Sequence, residues 1–162
     1  MARLPRVFLP DTPLHIIQRG NNRQACFAAD EDFSAYAHWL EKYARKYHVL
    51  IHAWVFMTNH VHMLLRTGLA PIATVMRRLL TGYAVSFNRR NRRHGHLFQN
   101  RYKSFLCEED LYLKELVRYI HLNPLRAKVV KDIKDLGRYR WCGHSALMGK
   151  AEADFQDTEY VL

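Results

Sequence analysis

Hydrophobic and polar positions along the chain change period several times, and each change marks an element. Residues 14–18 read as a short strand, stopped by Arg19-Gly20-Asn21-Asn22, and Pro10 and Pro13 bracket an extended start before it. Phe33, Tyr36, Ala37, Leu40, Tyr43 and Ala44 recur at helical spacing, so residues 30–47 predict a helix with Asp30 as its N-cap. Residues 50–58 are β-branched and aromatic and predict a strand. Thr58-Asn59 is a turn signal, and residues 60–67 return as the second arm of a hairpin. Residues 71–91 fit a long helix with Pro71 in its first turn. A basic loop around Gly95 leads to a strand over 102–107 and a helix over 110–122, which Pro124 keeps from extending. The stretch beyond Lys131 is mixed, with Trp141 placed to pack back on the core.

The order β-α-β-β-α-β-α predicts an α+β fold, a ferredoxin-like antiparallel sheet with helices packed on it. Neither repeats nor low-complexity linkers divide the chain. Its 162 residues suit one domain over 1–150 with a C-terminal tail over 151–162. An apolar fraction of 49% is enough for one buried core and excludes a disordered chain.

Charge sharpens the picture. Lys and Arg outnumber Asp and Glu by 25 to 15, an excess that suits a polyanionic partner as well as simple solubility. Its placement favours the partner. Arg77, Arg78, Arg89, Arg90, Arg92, Arg93, Arg101 and Lys103 fall in one stretch, interleaved with Tyr83, Phe87, His94, His96 and Tyr102. Guanidinium groups pair with phosphates and aromatic rings stack on unpaired bases. Arg19-Gly20-Asn21-Asn22-Arg23 either adds two arginines and backbone N–H groups to such a surface or is an ordinary turn. A membrane partner is not expected, because the basic stretch comes with neither a lipidation motif nor an apolar amphipathic face. Cys26, Cys107 and Cys142 are distant and odd in number, which argues against a zinc ribbon. With no apolar signal core, a cytoplasmic location is expected.

Two constellations could carry chemistry. His60-Val61-His62 lies in a strand, where residues two apart share a face. Both imidazoles then project together as half of a metal site, or stand as two half-exposed histidines without a ligand. Tyr119 and Asn123, four apart, share a helix face. They read either as a nucleophile beside a cation-binding amide, or as a core tyrosine above a helix-ending Asn. Tyr112, two turns before Tyr119, fits core or stacking better than a second nucleophile. His94-Gly95-His96 repeats the His-x-His spacing, but in a basic loop that suits nucleic acid better than a second metal. The remaining histidines receive no role.

Taken together, the segments resemble the single-tyrosine transposases of the HUH superfamily, and within it the REP-associated tyrosine transposases. The name describes His, a bulky hydrophobic residue and His, and His60-Val61-His62 fits it inside residues 54–65. His96-Leu97-Phe98-Gln99-Asn100-Arg101-Tyr102-Lys103-Ser104 is similar to a second family stretch, and Tyr119-Ile120-His121-Leu122-Asn123-Pro124-Leu125-Arg126-Ala127 to a third. The Arg19–Arg23 segment is the fourth. The resemblance spans residues 5–145 and departs mainly around Trp141-Cys142-Gly143-His144-Ser145.

The resemblance implies the HUH nuclease fold and an active enzyme that cleaves and rejoins single-stranded DNA. Tyr119 would be the nucleophile, and His60, His62 and Asn123 the ligands of a divalent metal. Imidazole softness favours Mn²⁺ or Zn²⁺, whereas the family implies Mg²⁺ or Mn²⁺, which is the expectation adopted. The implied product is a 5′-phosphotyrosine link with a free 3′-hydroxyl. The implied substrate is a hairpin of the REP type, handled by a monomer or homodimer. Arg19, Asn21, Arg23 and the basic residues of the 77–103 stretch would contact the DNA. Two rival readings are a non-catalytic nucleic-acid-binding module and a metal-dependent phosphodiesterase that activates water.

Overall fold

The computed structural model describes residues 11–68, 70–99, 101–107, 110–149 and 155–158; Pro10 and the rest of the tail lie outside them. Four strands form one antiparallel sheet: β1 (Pro13–Arg19), β2 (Leu50–Met57), β3 (His60–Arg66) and β4 (Lys103–Leu106). Their order is β2-β3-β1-β4, the arrangement expected of a β-α-β-β-α-β chain. Strand β1 pairs with β3 in a register that sets Arg19 opposite His60 and Ile17 opposite His62.

The long helices α1 (Asp30–Tyr47) and α2 (Ile72–Arg90) cover one face of the sheet, and α3 (Asp110–His121) covers the other. Alternation along the strands decides which core each side chain joins. Val61, Met63 and Leu65 face the first core, beneath Tyr36, Leu40, Met76, Leu79 and Tyr83. Leu64 faces the second, with Ala53, Val55 and Met57 from β2. Helix α3 contributes Leu113, Leu116, Val117 and Ile120, an i, i+3, i+4, i+7 stripe. With both faces covered, β2 is buried along almost its whole length, so it reads as a continuous apolar run rather than an alternating one.

One detail differs from the sequence expectation, and one alternative is removed. The α1 N-cap is Ala29, one residue before Asp30. Buried Asp32 performs the capping instead: its carboxylate accepts from the Ala28 and Ala29 N–H groups at 2.8 and 3.1 Å. Tyr112, placed in the core or on a stacking surface, is 54% exposed and so is not core.

Short helices α4 (Asn123–Arg126), α5 (Ile133–Leu136) and α6 (His144–Leu147) follow. Trp141 packs back as expected, stacked on Phe33 with ring centroids 5.1 Å apart, and its carbonyl accepts from Phe56 N–H at 2.8 Å. Residues 155–158, inside the stretch set apart as a tail, dock on β2. Asp157 N–H donates to the Ile51 carbonyl at 2.7 Å, and Trp54 Nε1 donates to Gln156 Oε1 at 2.8 Å. This covers a sheet edge that would otherwise offer unpaired backbone groups. Cys26, Cys107 and Cys142 are buried, and none forms a disulfide among the described residues. Among the described residues no helix is long and apolar enough to cross a membrane.

Candidate active site

The sheet face beneath α3 carries the polar cluster. Val61 turns into the first core, as strand alternation requires, so His60 and His62 project together, their ring centroids 5.1 Å apart. Just below the end of α3, Pro124 lacks an N–H and α3 stops at His121; a new helical turn opens at Asn123. This break swings Asn123 toward the strand, where its Oδ1 lies 3.4 Å from His60 Nε2. Tyr119, one turn earlier, presents its ring edge-on to His62, centroids 5.8 Å apart. The structure therefore brings together all four residues singled out for the chemistry.

Protonation and tautomers follow from the contacts. Burial lowers the pKa of His60, with Arg19 pushing the same way and the Asn123 hydrogen bond opposing. Burial pushes His62 down to about 3, helped by His60, His15, Arg19 and Arg126. Both imidazoles are neutral at pH 7, the form that binds metals. His60 Nδ1 lies 2.7 Å from Asn59 Oδ1, which can only accept. With the proton on Nδ1, His60 Nε2 and Asn123 Oδ1 present two lone pairs to one point, a donor set that a cation satisfies. The oxygen donor beside the two imidazoles is the Asn123 amide, whose Oδ1 would be the third ligand there. The residues fit a divalent cation.

His15, on the neighbouring strand, completes the cluster, although sequence reasoning assigns it no role. Its Nε2 lies 3.1 Å from His62 Nδ1 and its ring stacks on His62 at 5.3 Å. Burial pushes His15 down to about 4. The signal was present: His15 and Ile17 alternate with Leu14 and Ile16, which face the first core, but nothing in the chain says that this face meets His62. Arg126 was also missed as an individual contributor. Its guanidinium lies 4.1 Å from the Tyr119 ring centroid and donates to the Tyr119 carbonyl, holding the tyrosine from below.

The basic residues divide. Arg19, Arg101 and Lys103 line one depression with Ile17 and Gln99, beside the histidines. The Arg19–Arg23 turn and the basic loop are stitched together there: Asn21 N–H donates to the Leu97 carbonyl at 2.8 Å and Gln99 N–H to the Arg19 carbonyl at 2.8 Å. Gly20 is required at this junction, because a Cβ would lie 2.1 Å from the Gln24 carbonyl oxygen. Arg92 is exposed on the same loop, and Arg93 is tied to Asn88, Gln24 and the His96 carbonyl. Arg77 and Arg78 border a separate depression with Tyr43 on the α1–α2 side, across the sheet from Tyr119. Arg89 is exposed at the end of α2, and Arg90 is paired with buried Asp32 at 2.8 Å.

A helix-borne tyrosine thus stands over paired strand histidines, on a β2-β3-β1-β4 sheet covered on both faces. The fold match is direct: a REP-associated tyrosine transposase bound to a REP hairpin superimposes with a TM-score of 0.77 at 15% identity, covering 99% of this chain and 96% of that one. A crystal structure from Deinococcus radiodurans R1, described as a transposase, matches with a TM-score of 0.50 at 17% identity over 74% of this chain and 95% of that one. No curated protein matches the sequence. Residues 9–123 match the IS200-like transposase family, and the chain belongs to it. It is a transposase, an enzyme that acts on DNA.

Proposed function

We propose that the enzyme cleaves and rejoins single-stranded DNA through a covalent Tyr119 intermediate, on hairpins of the REP type. The observation that carries this reading is the convergence of Tyr119, His60, His62 and Asn123 on one spot beside a basic depression. In the attack, Tyr119 Oη bonds to phosphorus and the P–O3′ bond breaks. The phenolic proton passes to solvent, which the half-exposed ring reaches, and the departing 3′ oxygen takes up a proton. The DNA on the 3′ side stays joined to the protein as a 5′-phosphotyrosine, which conserves the ester for transfer to another 3′-hydroxyl.

His60, His62 and Asn123 would hold Mg²⁺ or Mn²⁺, which when bound supplies charge neutralisation at the scissile phosphate oxygens. Arg126 orients the tyrosine, and Arg19, Arg101 and Lys103 draw in the backbone phosphates. A hairpin substrate is supported by the fold match to a transposase bound to a REP hairpin.

A covalent-adduct assay tests the proposal. The protein is mixed with 3′-labelled single-stranded hairpin DNA taken from beside its own gene, with Mn²⁺ or Mg²⁺, and resolved on a denaturing gel. Protein-bound label is expected for the wild type and not for Tyr119→Phe or after chelation. Cleavage without bound label, still dependent on His60, would assign the attack to water and remove Tyr119 from its role.

A further inference from the structure

Next to Tyr119 a cleft of about 610 Å³ opens between β4 and α3, its lining including Ile17, Phe105, Tyr112, Glu115 and Tyr119. Among the described residues, only three Phe, Tyr or Trp side chains are exposed: Phe105, Tyr112 and Tyr119, at 51%, 54% and 43%. All three line this one cleft. Every other described Phe, Tyr and Trp is at least partly buried. Concentrating exposed aromatic surface at one place marks a binding site.

We infer that this cleft seats an unpaired nucleobase of the strand being cut, stacked against Phe105 and Tyr112, beside the phosphate that Tyr119 attacks. The inference rests on the covalent reading of Tyr119. Three observations select a base as the occupant. First, Ile17 lines both this cleft and the neighbouring depression of Arg19, Arg101 and Lys103, so a strand whose phosphates lie in the depression continues into the cleft. Lys103 and Phe105 are two apart on β4 and share a face, cation toward phosphate and ring toward base. Second, the cleft wall carries Glu115, a carboxylate that repels a phosphate but accepts from an exocyclic amine of a base. Third, β4 is an edge strand, and exposed Lys103 on it disfavours pairing with a second copy of the chain.

An abasic scan tests this. Hairpin strands carrying one abasic site at each position flanking the cleavage point are bound to the wild type and to Phe105→Ala and Tyr112→Ala. The expected wild-type result is one position where loss of the base weakens binding about tenfold, the size of one stacking interaction. Each alanine variant should bind the intact strand about tenfold more weakly and lose little more at that abasic position, since base and ring act as one pair. Tyr112→Phe should bind as the wild type does. The side chains are exposed, so unchanged thermal midpoints are expected to show that the variants fold. A flat scan, or losses that simply add, overturns the cleft as a base site. A dimer in light scattering that Phe105→Ala dissociates also overturns it and assigns the face to a second copy. Wild-type adduct formation is read on the same strands: adducts with a flat scan refute the cleft alone, whereas no Tyr119 adduct on any strand overturns the covalent reading and the cleft with it.

Discussion

His15 Nε2 and His62 Nδ1 face each other at 3.1 Å, and two neutral imidazoles in that contact share one proton. For His62 to offer Nε2 to a cation, the proton must sit on its own Nδ1, with His15 accepting. A histidine ligand usually donates its second N–H to an acceptor that holds its tautomer, and in the proposed metal site His15 would fill that place. His15→Leu removes the acceptor and is expected to weaken Mn²⁺ binding about 10- to 100-fold by titration calorimetry. His15→Gln, whose amide oxygen can accept, should retain more of the affinity. Equal affinity in wild type and His15→Leu would show that His62 does not depend on this partner.

The 77–103 stretch shows how arginines take different work once each element is placed. Arg90 reaches across to Asp32, a buried carboxylate that also accepts from the start of α1, so it joins two helices. Arg101 stands at the depression beside the site. Arg90→Ala is therefore expected to cost about 1.5–3 kcal/mol in denaturant unfolding, because a buried acceptor loses a charged donor. Arg101→Ala should leave stability within about 0.5 kcal/mol. It should instead lower the salt dependence of single-strand binding, by about 0.7 in the log–log slope. The reverse pattern would mean that the two arginines have been assigned the wrong way round.

At the scale of the whole molecule, several histidines are held neutral by burial. His15 is pushed down to about 4, and His62 and His121 to about 3. In the unfolded chain they titrate near the ordinary value, about 6.5. Between those values the unfolded chain binds more protons, so stability is full above about pH 6.5 and falls as pH drops toward 3. The informative window is about pH 6.5 to 5, above the carboxylate range. Urea midpoints should already decline there in metal-free protein, and a flat profile through that window would contradict neutral burial of these rings.

The chain's hydrophobic periodicity was sufficient for the strands, both long helices and the hairpin, because those patterns are local: period two for strands, 3.6 for helices, and breaks at Gly20 and Pro124. Strand alternation also put His60 and His62 on one face; Tyr119 and Asn123, read as one helix face, lie instead on α3 and α4, either side of the break at Leu122. The sequence could not say whether those two pairs meet. That depended on α3 packing on the β3 face opposite α1 and α2, a long-range choice made by two separate apolar cores. The same packing turned His15 from an unassigned residue into the partner of His62. It separated Arg77 and Arg78 from the site and left Phe105 and Tyr112 exposed beside Tyr119. Local pattern determines which way a side chain points from its own element; only the docking of elements decides what it points at.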